Sequence, residues 1–341
     1  MNAMMKALVC TSPHHLVLED HSRPARSAGR VTVKVARIGI CGTDYHIYEG
    51  LHPFLEYPRV MGHELSGIVE EVDADSKFRS GQLVVINPYL ACGTCHACRN
   101  DKSNCCMTLK VLGVHCDGGM CEYLVLPEGN LIAADGLSAD AAASVEFLAI
   151  GAHAVRRSGM ASGTRVLVVG AGPIGLGAAF FAHIAGGDVT IMDRDESRLA
   201  LASNVTGIGS TLVANDGSLA DVVKMTHGNG FDVVFDATGN RGSMEKSFQF
   251  VCHGGRYVLV GVMKDPITFS DPDFHKREMT LYASRNATSQ DFEHVMASIK
   301  AGKISIEKLV THRTSLTKVA DMLPLWAKDK NGLIKAMIGF D

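Results

Sequence analysis

The sequence predicts an α/β chain in two parts: an irregular, mostly antiparallel β domain, then a doubly wound parallel sheet. Three observations carry that expectation. The first 150 or so residues alternate short β-branched runs with Gly, Pro, Asn and Asp turns, and helical periodicity is scarce there. From about Ala139 strand-like runs alternate with helical ones, the pattern of a parallel sheet with crossover helices. A glycine-rich turn, G-x-G-x-x-G, stands where one of those strands meets its helix.

In chain order, the early strands are expected at Val31–Ile38, Leu65–Val72, Leu83–Asn87 and Glu122–Leu126, each bounded by turn residues. An Ala-rich helix is expected over Asp140–Ser158. The parallel strands come next, at Arg165–Val169, Asp188–Met192, Asp232–Asp236 and Arg256–Val262. Helices at Asp291–Ala301 and Val319–Lys328 and a last strand at Leu333–Gly339 close the chain. These divide into a β domain over 1–153, a nucleotide-binding domain over 154–290, and a tail over 291–341 expected to pack back on the first. The uncharged stretch Val166–Gly187 has the length of a membrane span, but its β-branched start and its breaks at Gly170, Gly172 and Pro173 make it a strand, a turn and a helix.

Composition narrows the function classes. Of 341 residues, 46% are hydrophobic and 20% charged, with a formal net charge of −3, which gives no reason to expect nucleic acid or an anionic membrane as partner. Outside one cluster of four, the cysteines form no disulfide framework, and the start Met1–Cys10 is too short and too weakly basic for a secretory signal. A reducing cytoplasm is the expected location.

Cys92, Cys95, Cys98 and Cys106 make up that cluster, spaced C-x2-C-x2-C-x7-C, which brings four thiolates within reach of one tetrahedral ion. Zinc suits that donor set, and four protein ligands leave no open position, so this zinc is expected to be structural. A nucleic-acid-binding zinc module is disfavoured, because Arg99, Lys102 and Lys110 stand against Asp101 with no interleaved aromatics.

In Gly170-Ala171-Gly172-Pro173-Ile174-Gly175, Gly170 permits the tight turn, Gly172 lets backbone N–H groups approach a pyrophosphate, and Gly175 lets helix and strand pack closely. Asp193, at the end of the next strand, is placed to accept the hydroxyls of an adenosine ribose. A 2′-phosphate there meets a like charge, so NAD is expected over NADP, with Arg194 and Arg198 the residues able to offset that charge.

Three further segments hold a second set of candidate ligands: Gly39-Ile40-Cys41-Gly42-Thr43-Asp44, Gly62-His63-Glu64 and Val145-Glu146-Phe147. Singly, Cys41 reads as a buried thiol, His63 as a hydrogen-bonded core residue and Glu146 as a charge favouring a helix start. Together with the four-cysteine lobe and the Gly170 turn they resemble, over essentially the whole chain, the zinc-dependent medium-chain alcohol and polyol dehydrogenases. The resemblance implies a GroES-like β domain, a Rossmann cofactor domain, an active site in the cleft between them, two zinc ions and NAD. It implies Cys41, His63 and, as in the sorbitol- and threonine-dehydrogenase branches, Glu146 as ligands of a catalytic zinc. Glu64 has three roles open to it: direct ligation, exchange with water, or support from behind. A site of Zn²⁺, one thiolate, one carboxylate and neutral His63 is neutral, whereas a second carboxylate makes it negative, so Glu64 and Glu146 are expected to alternate or to bind unequally. Phe147 departs from the proline common after that glutamate, and a different local backbone is expected there.

The resemblance also places the Thr43 hydroxyl against the substrate oxygen, His46 as the relay that passes the proton to solvent, and Asp44 behind the imidazole of His63. It implies a secondary alcohol of a polyol or sugar acid as substrate. A homo-oligomer, dimer or tetramer, is implied too, with the strand Arg256–Val262 and the residues just after it as the pairing element. The stretches 113–119, 270–276 and 284–288 resemble those of sugar-acid dehydrogenases that oxidise the C5 hydroxyl of an aldonate. An aldonate carboxylate needs a cation, and Arg285 or Lys276 is the candidate, Arg285 being better shaped for a bidentate contact. The competing enzyme of the same fold, a zinc-free quinone or enoyl reductase, is disfavoured by Cys41, His63 and Glu146 occurring together.

Overall fold

The computed structural model describes residues 3–52 and 55–340. It begins with a hairpin, β1 (Met4–Ser12) and β2 (His15–Ser22), followed by the long strand β3 (Arg30–Ile40) and the short helix α1 (Gly42–Tyr48). β4 (Arg59–Val60), β5 (Glu64–Glu71) and β6 (Leu83–Ile86) come next. A cysteine-bearing lobe containing α2 (His96–Arg99) is bounded by β7 (Tyr89–Leu90) and β8 (Lys110–Val111), which pair antiparallel. β9 (Tyr123–Pro127), β10 (Leu131–Ala133) and the helices α3 (Ala139–Ala143) and α4 (Val145–Ser158) complete this stretch. The expected single helix over 140–158 is thus two. Ser144 ends the first, its hydroxyl donating to the Asp140 carbonyl at 2.8 Å, the back-bond by which serine bends a helix.

The parallel region is β11 (Arg165–Val169), α5 (Pro173–Ile184), β12 (Asp188–Asp193), α6 (Glu196–Thr206), β13 (Thr211–Val213), α7 (Ser218–Met225) and β14 (Phe231–Asp236). It continues through α8 (Arg241–Ser247), β15 (Val251–Leu259), α9 (Asp271–Lys276) and β16 (Thr280–Ala283). The tail is α10 (Ser289–Lys300), α11 (Ile306–Leu309), β17 (Val310–Ser315), α12 (Val319–Lys328) and β18 (Lys335–Gly339).

The chain divides into two compact units, one of Met1–Glu146 with Met296–Asp341 and one of Phe147–Val295. The break falls in the first turn of α4, after Glu146, and the rest of α4 packs on α5 so closely that a Cβ on Gly151 would meet the Gly177 carbonyl carbon at 2.2 Å. The first unit's main sheet runs β10-β6-β5-β3-β18-β17, with β9 also on β3. β18 pairs antiparallel with β3, Ala336 opposite Ile40 and Met337 opposite Gly39, which makes the tail part of this sheet. Val33, Ile38, Leu65, Val84, Ile86, Ala336 and Ile338 are among its core residues.

The second unit's sheet runs β13-β12-β11-β14-β15-β16, every pair parallel. Its strand order reverses between β11 and β14, the crevice where open parallel sheets bind ligands. Val166, Leu167 and Val168 of β11 are fully buried, as a central parallel strand covered on both faces requires. β15, which holds most of Arg256–Val262, is an interior strand, and β16, which follows it, is one of the two edges of the sheet. Val166–Gly187 resolves into β11, a turn and α5, and among the described residues no helix is long and apolar enough to cross a membrane.

In this unit Asp291 ties α10 to α4. Its carboxylate accepts from Arg156 at 2.7 Å and from the Thr288 N–H at 2.8 Å, and lies 2.9 Å from His153 Nδ1. Burial works against the charged form, but these partners win and hold the carboxyl well below its ordinary range. Its contribution is therefore present above the unfolded value near 4, and is lost as pH falls from there through the lower folded value. Asp291→Asn should cost about 3 kcal/mol in urea denaturation at neutral pH, and the gap to the unsubstituted protein should narrow below about pH 4.

Candidate active site

The sheet of the first unit brings the second ligand set together. β3 runs into Cys41, and β5 opens on Glu64 directly after His63, with Gly39 of β3 opposite Glu64. Ligand atoms of Cys41, His63 and Glu64 lie within 4.8 Å of one another, and His63 and Glu64 are buried. Glu146, at the start of α4 and also buried, is outside that radius but interacts electrostatically with His63 and Glu64. Phe147, the next residue, is fully buried inside α4.

Asp44 acts differently from expectation. Its nearest oxygen is 4.0 Å from His63 Nδ1, too far for a hydrogen bond. Instead it accepts from the Cys41 N–H at 2.8 Å and the Gly62 N–H at 3.3 Å, clamping the two ligand-bearing loops by their backbones. Thr43 Oγ1 is 3.8 Å from Cys41 Sγ, and His46, three residues along α1, is exposed to solvent.

Two positions missed by sequence reasoning hold the carboxylates. Tyr89, at the base of the cysteine lobe, donates its hydroxyl to Glu146 Oε1. Lys335, on the last strand and 1% exposed, donates to both oxygens of Glu64 at 2.7 and 2.8 Å, and to the Ile40 carbonyl at 3.2 Å. A lone lysine inside the apolar run Leu333-Ile334-Lys335-Ala336-Met337 was the available signal, since lysine is almost never fully buried without a partner.

The donor set fits a dication. His63 Nδ1 and Glu146 Oε2 are buried with no hydrogen-bond partner, a costly arrangement that a metal relieves. Burial alone would lower the His63 pKa, but the adjacent Cys41 thiolate, Asp44 and Glu146 outweigh it and hold the imidazole well above its ordinary value. Burial lifts the Glu146 carboxyl to about 7. The His63 shift records a concentration of negative charge that a metal ion would neutralise, and the Glu146 shift records the cost of burying its charge. Nearness favours Glu64 as the carboxylate ligand; the unoccupied Oε2 favours Glu146.

The four-cysteine lobe is equally suited. Cys95 Sγ is 3.5 Å and Cys92 Sγ 4.0 Å from Cys98 Sγ, and the Cys92 N–H points at Cys106 Sγ at 3.3 Å. Backbone N–H groups of Thr94 and Cys95 draw the Cys92 thiol down to about 5, while burial and neighbouring thiols push Cys98 up to about 12. A divalent ion at their centre favours all four thiolates.

In the second unit Gly170 has φ +102, and a Cβ on Gly175 would meet the Gly170 carbonyl oxygen at 1.8 Å, so both positions require glycine. Gly172 caps α5, with Pro173 and Ile174 in its first turn. Asp193 closes β12 and accepts from the Ala171 N–H at 2.7 Å, which fixes its carboxylate beside the turn. Arg198 is 3.8 Å from Asp195, at the start of α6, rather than paired with Asp193. Arg285 comes after β16 at the carboxyl end of the parallel sheet, the same end as the Gly170 turn. Lys276 precedes β16 at the opposite, amino end, so its expected substrate role fails on topology.

The chain is similar to known proteins in sequence and in fold. The family described as Alcohol dehydrogenase GroES-like domain matches residues 27–136, and that described as Zinc-binding dehydrogenase matches 173–301. L-galactonate-5-dehydrogenase of Escherichia coli is 39% identical over 337 residues, 98% of this chain and 99% of the relative. A sorbitol dehydrogenase of Halalkalibacterium halodurans is 32% identical over 323 residues, 92% of this chain and 94% of the relative. The crystal structure of RspB from Escherichia coli complexed with NADH superposes with a TM-score of 0.93 at 31% identity, over 99% of this chain and 100% of that one.

Removing one thiolate isolates the lobe's contribution. Cys98→Ser should reduce bound zinc from two ions per chain to one by atomic absorption and lower Tm by several degrees, about 2–4 kcal/mol of stability.

Proposed function

Because the chain belongs to the zinc-type medium-chain alcohol dehydrogenase family and is an oxidoreductase acting on CH–OH groups, we propose that it oxidises a secondary alcohol of a sugar acid, with L-galactonate oxidised at C5 to D-tagaturonate as the leading candidate. The observation that carries the reading is a thiol–imidazole–carboxylate set, with His63 and Glu64 buried, and a dinucleotide turn with an acidic ribose anchor in one chain. The sugar-acid choice rests on 39% identity to L-galactonate-5-dehydrogenase, against 32% to the sorbitol enzyme.

Cys41, His63 and Glu146, with Glu64 beside them, would hold the catalytic zinc, and the Gly170 turn and Asp193 would hold NAD. Bound there, the metal acidifies a hydroxyl and the dinucleotide accepts a hydride. The chain's own residues move the proton: Thr43 Oγ1, beside Cys41, receives it from the substrate hydroxyl, and exposed His46 delivers it to water. Asp193 favours NAD because a 2′-phosphate would meet its carboxylate, and Arg198 is engaged with Asp195. Arg285 would bind the aldonate carboxylate. All ten cysteines are free of disulfides, in keeping with a cytoplasmic enzyme.

The test is NADH formation across aldonates, neutral polyols and simple secondary alcohols, each repeated with NADP. Turnover should be confined to aldonates with NAD, and Arg285→Ala should raise KM for the aldonate at least tenfold, about 1.4 kcal/mol. Turnover of neutral polyols alone would remove the sugar-acid reading, and no turnover of any alcohol would revive the reductase.

The enzyme should also assemble as a homo-oligomer through β16, one of the two edges of the second unit's sheet, where Leu281 is 36% exposed. Leu281→Pro removes a backbone donor from that edge, and light scattering should show a smaller assembly.

A further inference from the structure

We propose that Asn331-Gly332, in the turn between α12 and β18, is a site of spontaneous covalent modification: the asparagine converts through a succinimide to aspartate and isoaspartate, and the isoaspartate loosens the docking of β18. The inference concerns the tail strand and stands whatever alcohol the enzyme oxidises. In the reaction the Gly332 nitrogen loses its proton and bonds to Cγ of Asn331. The Cγ–Nδ2 bond breaks, and Nδ2 leaves with that proton as ammonia. Water then opens the imide at one carbonyl or the other, giving aspartate or isoaspartate, and nothing is oxidised or reduced. Attack requires a nitrogen unhindered by a neighbouring Cβ, a side-chain amide that is not held, and a backbone able to turn.

The sequence holds two Asn-Gly pairs, and the structure sets them apart. At Asn229-Gly230 both reacting groups are held. Asn229 Nδ2 donates to the Thr226 carbonyl at 3.1 Å, and the Gly230 N–H donates to Thr226 Oγ1 at 2.9 Å. A Cβ on Gly230 would meet the Phe250 carbonyl oxygen at 2.9 Å, so that turn is also packed against its neighbours. Asn331-Gly332 is the reverse. Both residues are exposed, and a Cβ on Gly332 would meet nothing within 4 Å. The turn's own bonds run from the Asn331 N–H to Asp329 Oδ1 at 2.9 Å and from the Leu333 N–H to the Lys330 carbonyl at 3.1 Å. Among the described residues neither the Asn331 side-chain amide nor the Gly332 N–H has a hydrogen-bond partner. Attack at Asn229 must first break two hydrogen bonds, and attack at Asn331 breaks none of that kind.

The turn's neighbours decide what the modification damages. The Lys330 ammonium lies 4.7 Å from the centroid of the Tyr45 ring on α1, and the Ile334 N–H donates to Thr311 Oγ1 at 3.1 Å, so the turn is pinned at both ends. Directly after it β18 enters the sheet between β3 and β17. Isoaspartate routes the main chain through Cγ and so adds a backbone methylene between the two pins. The bond from Leu333 to Lys330 that closes the turn is lost, and the entry of β18 is displaced. Ordinary aspartate leaves the main chain unaltered and adds only an exposed charge next to Lys330.

The experiment incubates the full chain in mildly alkaline buffer, then maps tryptic peptides by mass spectrometry and reads isoaspartate by methyl transfer from S-adenosylmethionine with an isoaspartyl methyltransferase. A gain of about 1 Da and methyl uptake should appear at Asn331 about tenfold faster than at Asn229, and in concentrated urea the two rates should converge. Equal rates in the folded chain, or a faster reaction at Asn229, would overturn the site. The incubated chain should lose about 3 °C in Tm, and methyltransferase repair should restore it. Asn331→Gln, which cannot form the imide at a useful rate, should keep its Tm through the same incubation. Asn331→Asp, which adds the charge without the methylene, should match the fresh unsubstituted chain. A modified chain as stable as incubated Asn331→Gln would overturn the loosening of β18, as would an Asn331→Asp chain as unstable as the modified one.

Discussion

Strand β3 sets the chemistry of the first unit. It hydrogen-bonds to β5 on one side and β18 on the other, and its last residues run directly into Cys41. Strand register is discrete, so a slip of one residue would turn Gly39 away from Glu64 and send Glu64 to the other face. The pairing that buries Val33, Ile38 and Leu65 in the core thus also fixes where a thiol, an imidazole and a carboxylate meet. Asp44 adds the remaining constraint by joining the backbones of the Cys41 and Gly62 loops with one carboxylate.

The site crowds Cys41, Asp44, Glu64 and Glu146 around His63, with two cations to balance them: Lys335 and, in the proposed enzyme, the metal. A buried charge is tolerated only when paired, so such a cluster does not exist for packing. The contrast with Asp291 makes the point. That carboxylate is also buried, yet it meets Arg156, His153 and the Thr288 backbone, with its carboxyl held low, and it fastens one helix to another. Glu146 is buried with one oxygen unpartnered and its carboxyl raised to about 7. Raised and unpaired groups at one point mark a binding site; lowered and saturated ones mark a joint.

What the sequence made legible was what short spacing determines. The four cysteines span 15 positions, and the Gly170 turn with its strand and helix is contiguous. β11 and α12 begin and end where periodicity placed them, because hydrophobic runs with clear breaks need no tertiary information. The helix over 140–158 was misread because Ala-rich propensity hid the back-bond of Ser144. Lys276 was misread because charge alone does not reveal which end of a parallel strand a residue occupies. Lys335 was unreadable as a partner of Glu64, since 271 residues separate them and only the insertion of β18 beside β3 brings them together.

The segments that looked accessory turn out to hold the two carboxylates. The cysteine lobe ends in the pairing of β7 with β8, where Tyr89 lies opposite Val111, and Tyr89 is the residue that grips Glu146. The tail ends in β18, and its first residue, Lys335, is the one that grips Glu64. The base of the lobe therefore sets the Tyr89 hydroxyl against Glu146. Docking of the last strand does the same for the other carboxylate. The local motifs supply the candidate ligands, and elements distant in sequence hold the two carboxylates.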